Sequence, residues 1–319
     1  MSRSQVDEEE IGIGNHCLLY TSDAAATSRR QRQMCIRDSM RIIKSETITE
    51  TIKELCIKGA CHLPTDVYNR LLEAISTEDS PVSKHTLEIL KENADIAASN
   101  QEPICQDTGM ACIFVEIGQE VYVDGNLTEA INEGVRQGYT EGYLRKSVVN
   151  DPVFDRINTK DNTPAIIHYD IVPGNKLKIT VAPKGFGSEN MCQVKMLKPS
   201  DGIEGVKDFI LKVVEDAGPN PCPPIVIGVG IGGTFDHVTY LAKKAMIKKI
   251  EEHHPDPRYR ALEEEMLEKV NATGIGPAGF GGKTTALALH VETCPTHIAG
   301  LPCAVAICCH VSRHQEVTL

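Results

Sequence analysis

The chain has 319 residues, 41% hydrophobic and 24% charged, with a net charge of −11. That composition suits a soluble globular protein of one large or two smaller domains. The negative balance argues against nucleic acid and anionic membrane surfaces as partners, and no apolar run has the roughly 20 residues a membrane-spanning helix needs.

Residues 1–39 differ in character from the remainder of the chain. An acidic run, Asp7–Glu10, and a basic run, Arg29–Gln33, bracket a stretch without sustained periodicity. Cys17–Ala25 and Arg32–Ser39 resemble translated adapter sequence, and the acidic run is wrong for a transit peptide. The expectation is a non-native or disordered leader, with Met40 as the true start and a single domain over 40–319.

From Met40 the pattern is regular. Thr47–Lys58 reads as a helix ended by Gly59. Thr65 or Asp66 caps a second, with Val67, Leu71 and Ile75 on one face. A third follows Pro81, with Leu87, Leu90, Ala94 and Ala97 aligned. Met110–Ile117 is an apolar run that predicts a buried strand, and Leu127–Gly142 a further helix. Pro164–Pro173 and Lys176–Ala182 are β-branched runs joined by Gly174-Asn175, a hairpin signal. Val206–Ala217 fits the helical period, Pro224–Ile231 reads as a buried strand, and Asp236–Ile250 as a helix. Arg258–Val270 carries Leu262, Met266 and Val270 on one face and solvated charge on the other. Thr285–Val291 and Ala304–Cys309 close the chain as strands. No internal repeat is visible. Helices and strands mix without strict βαβ alternation, which favours α+β over a doubly wound sheet.

The chemistry concentrates in a few loops. Cys105-Gln106-Asp107-Thr108-Gly109 packs a soft ligand, an amide, a carboxylate and a hydroxyl into the turn before a buried strand. Soft sulfur selects zinc, copper or iron–sulfur clusters, and the carboxylate can handle a proton; a buried Cys beside a capping Asp is the plainer alternative. Twelve cysteines without a CxxC pair or secretory signal fit a reducing cytoplasm rather than a disulfide scaffold. Cys222, flanked by prolines, has a stiffened backbone suited to a ligand. Cys309 ends a strand beside a polar segment, whereas Cys56, Cys61, Cys112 and Cys303 lie in apolar patterns and read as core. Cys192 and Cys308 are open. His253-His254 reads as part of a solvated linker, and His297 ends a strand. Lys184–Asn190 is a Gly-rich loop able to offer backbone N–H groups to an anion. Gly228–Gly233 fits G-x-G-x-x-G, but no βαβ unit with an acidic residue follows it. Gly276–Thr284 resembles a phosphate-binding loop with its first Gly out of register.

Taken together, PICQDTGMA at 103–111, EGYLRKSVVNDP at 141–152, KGFGSENM at 184–191 and PCPPIVIGVGIGGTFD at 221–236 resemble the α subunits of class I fumarate hydratases and L-tartrate dehydratases. TGIGPAGFGGKTTAL at 273–287, HIAGLP at 297–302 and CHVSRH at 309–314 extend the resemblance over Met40–Leu319. These are iron–sulfur hydro-lyases. The resemblance implies a 4Fe–4S cluster held by Cys105, Cys222 and Cys309, with one iron left open as a Lewis acid. Cys309 rather than Cys308 aligns with the family's Cys-His-x-x-Arg ending. Asp107 and His297 match residues near the leaving hydroxyl, and Arg145 matches the Arg that clamps a substrate carboxylate. Gln106, Thr108 and Gly187 complete the substrate lining. The implied substrate is a small four-carbon dicarboxylate, fumarate/malate first and L-tartrate as the alternative; a non-catalytic iron–sulfur protein on the same scaffold is the rival. The catalytic base is expected on a separate β subunit in an α2β2 assembly, the chain being inactive alone. The implied fold is one mixed domain with a largely antiparallel sheet and several N-terminal helices.

Overall fold

The structure is a computed structural model describing residues 40–319; the leader expected over 1–39 lies outside the described residues. Strand β1 (Arg41–Lys44) leads into α1 (Ser45–Cys61), followed by α2 (Thr65–Thr77) and α3 (Pro81–Asn100). Helix α3 starts on a Ser80 cap with Pro81 in its first turn, as capping chemistry predicts, and ends at Gln101 in the left-handed region. Then come β2 (Met110–Gly118), β3 (Val121–Asp124), α4 (Leu127–Glu141), β4 (Ile166–Val172) and β5 (Leu177–Lys184).

Helices α1 and α4 lie against one face of a four-stranded sheet of order β10-β5-β2-β4, β10 being Gln315–Thr318. Two glycines set their approach. A Cβ on Gly134 would come within 2.6 Å of Ile52 Cβ and Thr49 O, and one on Gly138 within 2.8 Å of Cys56 Cβ. Ile48, Ile52, Ile131, Val135 and Tyr139 are consequently sealed between helix and sheet.

The second half builds another four-stranded sheet, β6-β9-β7-β8, from β6 (Gln193–Leu197), β7 (Ile225–Gly232), β8 (Ala286–Cys294) and β9 (Leu301–Cys308). Helices α6 (Gly202–Ala217) and α8 (Pro257–Ala272) cover one face. Helix α7 (Phe235–Met246), with α2 and α3, covers the other. Every residue of β7 is buried, as expected of a central strand covered on both faces. A Cβ on Gly228 would meet Ala242 O at 2.1 Å, and one on Gly230 would meet Val238 O at 2.2 Å. The G-x-G pattern is therefore a seat for α7, not a dinucleotide loop. Nor is Gly276–Thr284 a phosphate cradle: Lys283 N–H donates to Glu78 Oε2 at 2.9 Å and Lys283 Nζ is paired with Asp79.

The α+β class holds, and the predicted helices and buried strands stand within a few residues of their expected bounds. Other expectations are corrected. The expected sheet is two four-stranded sheets, each largely antiparallel as expected: β5–β10, β2–β5, β6–β9 and β7–β9 are antiparallel, while β2–β4 and β7–β8 are parallel. The predicted Gly174-Asn175 hairpin does not form, because β2 lies between β4 and β5. The connection instead wraps the end of β2, where Glu120 N–H donates to Gly174 O at 2.9 Å and Gly118 N–H to Lys176 O at 2.8 Å. Strands β1, β3, β6 and β10 carry no sequence signal of their own. All are short: β1 pairs with β3, while β6 and β10 border the larger sheets. His253-His254 lies in the expected exposed linker but is anchored there, and the polar face of α8 is not wholly solvated. Glu263 on that helix is 1% exposed and accepts from Val291 N–H, His254 N–H and the His253 ring.

A repeat absent from the sequence is present in the topology. Within each half the first strand is central, the second joins it in parallel and the third antiparallel: β2, β4, β5 and β7, β8, β9. Each third strand then leads across to the other sheet. β5 runs through α5 (Phe186–Glu189) into β6, and β9 runs through residues 309–314 into β10.

Candidate active site

Those crossings and the two loops entering the central strands meet. Residues 103–109 precede β2 and residues 219–224 precede β7, so Cys105 and Cys222 occupy equivalent places in the two halves. His310 N–H and its Nδ1 both approach Cys222 O, at 3.3 and 3.0 Å. Cys105 and Cys309 pack on one small cluster with Ile104 and Val311. Partial desolvation by the surrounding loops, and then the nearby Cys105, push the Cys222 thiol up. Cys222 adopts φ +55, a conformation costing a non-glycine residue about 1 kcal/mol or more. Such strain at an exposed thiol marks a position chosen for its side chain.

Strand alternation separates the adjacent thiols. Cys308 is buried in the core under α7, whereas Cys309 is half-buried and turned to the loops. Even so, the neighbouring thiols act on each other, which lowers Cys308 and raises Cys309; Lys184 and Arg313 also act to lower Cys308. Of the remaining thiols, Cys56, Cys61, Cys112 and Cys303 are buried as expected. Cys192 is half-buried, its sulfur receiving Ile307 N–H at 3.2 Å.

Asp107 is held from both sides. Its Oδ1 accepts Gly109 N–H at 3.0 Å and its Oδ2 accepts Phe186 N–H at 2.9 Å, while its backbone carbonyl accepts from Arg313 Nη2. The turn it forms needs Gly109 (φ +80), where a Cβ would strike the Lys184 backbone at 2.8 Å. Thr108 is buried, and its hydroxyl donates to Arg145 O at 3.0 Å. Arg145 itself is exposed, on an arm tied back by Asn162, which accepts Ser147 N–H at 2.8 Å and donates to Gly109 O at 3.2 Å. Gln106 is exposed between Cys105 and Asp107, and Gly187 sits over Asn220 of the Cys222 loop.

His297 is the exception. It lies exposed in the turn between β8 and β9, a turn pinned to Gly233 by Thr296. The register of β7 with β9 places that turn beside Gly232, at the opposite end of the sheet from Cys222 and Cys309. An eight-residue strand separates the two ends by about 25 Å. Within one chain, His297 does not join the cradle.

Three residues that build the cradle are not among the site residues expected from the sequence. Tyr139 is fully buried, with its hydroxyl donating to Thr108 O and Gly109 O, both at 3.0 Å. Asn162 is likewise buried. Lys184 is 4% exposed, bonded to Ser188 Oγ at 2.7 Å and Glu189 Oε2 at 3.3 Å. Burial alone would lower Lys184, but Cys308, Cys192, Glu189 and Cys309 outweigh it and hold its charge. The signal that could find Lys184 is its place at the head of the Gly-rich loop; Tyr139, in a helix of mixed sequence, gives none.

The donor set can be tested against an iron–sulfur cluster. Among the described residues, no three His, Cys, Asp or Glu side chains converge tightly enough to hold a single ion. A cluster asks for something else, separate thiolates on separate irons, and the three thiols on three loops fit that requirement. Arg313 makes the stronger case. It is 4% exposed, yet its Nε and Nη1 have no partner, so the cradle holds uncompensated positive charge suited to an anionic group.

Residues 49–318 match the family model described as Fumarate hydratase (Fumerase). The chain is 44% identical over 271 residues, 83% of its length, to a Methanocaldococcus jannaschii protein named "Putative L(+)-tartrate dehydratase subunit alpha", covering 95% of that relative. It is 30% identical over 270 residues to the L(+)-tartrate dehydratase subunit alpha of Escherichia coli K12, covering 88% of that protein. The chain belongs to the fumarate hydratase family, and its chemistry is that of a hydro-lyase.

Proposed function

We propose that the chain is the α subunit of an iron–sulfur hydro-lyase that adds or removes water on a four-carbon dicarboxylate. The observation that carries this reading is that the loops of Cys105, Cys222 and Cys309 adjoin one another, with Asp107 fixed two residues beyond Cys105. These three thiolates would hold a 4Fe–4S cluster, which when bound supplies a Lewis-acidic iron for the substrate hydroxyl and one carboxylate. Asp107, its two oxygens steered by Gly109 and Phe186, holds the proton exchanged with the departing hydroxyl. Arg145 binds the distal carboxylate through its planar fork, with Gln106, Thr108 and Gly187 shaping the remaining wall. The proton on the adjacent carbon falls to a base on a β subunit.

Support for a partner comes from the relatives' α-subunit names and from the arm that carries Arg145. Tyr143, Val153, Phe154 and Ile157 on that arm are 91, 67, 87 and 58% exposed. That much bare apolar surface is characteristic of an interaction site. A role for His297 requires a second copy of the chain, which an α2β2 assembly would provide. Among the described residues no helix is long and apolar enough to cross a membrane. Fumarate/malate is the first expected substrate pair, while the relatives' names favour L-tartrate. Anaerobic co-expression with a β-type chain, cluster reconstitution and assay with fumarate, malate and L-tartrate decides among them. Failure of the loaded complex to turn over any of the three would sink the proposal.

A further inference from the structure

Arg313 is a buried cation without a counter-charge. Its guanidinium is permanently protonated and enters no ion pair among the described residues. Only Nη2 is satisfied, and by a neutral carbonyl, Asp107 O. Leaving a buried charge unpaired is strongly destabilising. The field of Arg313 falls on Cys61, Cys308 and Cys309, and no carboxylate bonds to it among the described residues. The substrate clamp, Arg145, stands apart on the exposed arm. Arg313 is therefore built into the wall of the cradle, on the side where the thiols converge.

We propose that Arg313 is the counter-cation of the iron–sulfur group carried by Cys105, Cys222 and Cys309, and that it sets the reduction potential of that group. This rests on the cofactor reading above. Three thiolates against a 2+ cluster core leave one net negative charge, which the guanidinium neutralises in a water-poor wall. One-electron reduction adds a second negative charge beside the same cation, so Arg313 makes reduction easier. Its Nη2 also fixes the Asp107 backbone, linking the cofactor's seat to the acid that faces substrate. Arg313 is thus a positioning residue.

The test uses the full chain, loaded anaerobically with ferrous iron and sulfide, beside R313K and R313Q. Dithionite titration followed by electron paramagnetic resonance reads the midpoint potential. R313Q is expected to make reduction at least about tenfold less favourable, a midpoint about 59 mV more negative for one electron. R313K keeps the charge and loses the planar fork, and is expected to stay within about threefold of wild type. If R313Q takes up no iron, the iron-to-protein ratio decides, and recovery of loading in R313K supports the proposal. Wild-type chain that takes up no iron and sulfide overturns the cofactor reading and this inference with it. Wild type that loads, with R313Q at the wild-type potential, overturns this inference alone. So does R313K behaving like R313Q, since the bond to Asp107 rather than the charge would then be what matters.

Discussion

Replacing Tyr139 with Phe removes one proton shared by two buried carbonyls, Thr108 O and Gly109 O, each 3.0 Å from the hydroxyl. The ring stays, so little packing is lost. Depriving buried carbonyls of a donor costs about 1–2 kcal/mol net. Gly109 O retains Asn162 Nδ2 at 3.2 Å, which caps the loss and makes the two donors interdependent. Removal of Asn162 alone also frees Ser147 N–H, loosening the arm of Arg145. Urea unfolding followed by circular dichroism should show Y139F destabilised by about 1–2 kcal/mol, which is a few degrees in melting temperature for a domain of this size. In a double-mutant cycle with N162A the coupling should be at least about 0.5 kcal/mol, because the side chains share an acceptor. A Y139F stability within about 0.3 kcal/mol of wild type, with simple additivity, would refute the claim that these bonds hold the Cys105–Gly109 turn.

His290 is 1% exposed, and burial, reinforced by Lys248 and His253, pushes its pKa down to about 4. The unfolded chain, titrating near 6.5, then binds more protons between pH 6.5 and 4, so stability falls as pH drops through that window. The loss reaches about 3 kcal/mol at pH 4, and H290L should flatten the pH dependence of the urea midpoint. Cys222→Gly relieves a left-handed backbone and should stabilise the metal-free chain by about 0.5–1 kcal/mol. It should at the same time abolish iron uptake; a variant that loads iron normally would remove Cys222 from the ligand set. Gly230→Ala drives a methyl to 2.2 Å from Val238 O and should cost about 2 kcal/mol or more by lifting α7 from β7. Because both glycine-rich segments serve packing, calorimetry with ATP and with NAD should show no binding. Heat from either would reopen the nucleotide reading.

Most of the helices were legible because their cause is local. The apolar faces of α2, α6 and α8 repeat with the helical period, and Ser80-Pro81 starts α3 by capping chemistry any reader can apply. The buried strands β2 and β7 announced themselves as apolar runs. Edge strands such as β6 and β10 did not, because a four- or five-residue strand on a sheet border has neither the length nor the burial to impose a pattern. Gly174-Asn175 was correctly read as a turn and wrongly as a hairpin, since a turn signal cannot say that β2 will occupy the space between its arms.

By itself the sequence determined which residues can do chemistry and which face of each helix is apolar, since side-chain type and short-range periodicity are properties of the chain alone. The resemblance in its motifs named the family before any contact was known. What only the tertiary structure decided is which of those residues meet. Two topologically equivalent halves bring the loops before β2 and β7 beside the crossings after β5 and β9, so that the segments carrying Cys105, Cys222 and Cys309 adjoin and Arg313 bonds to the Asp107 backbone. The same β9 that delivers Cys309 carries His297 away, to the other end of an eight-residue strand. Positions close in sequence were separated by one extended element, and positions over 200 residues apart were joined, because strand pairing sets which chain segments lie together whatever their separation in sequence.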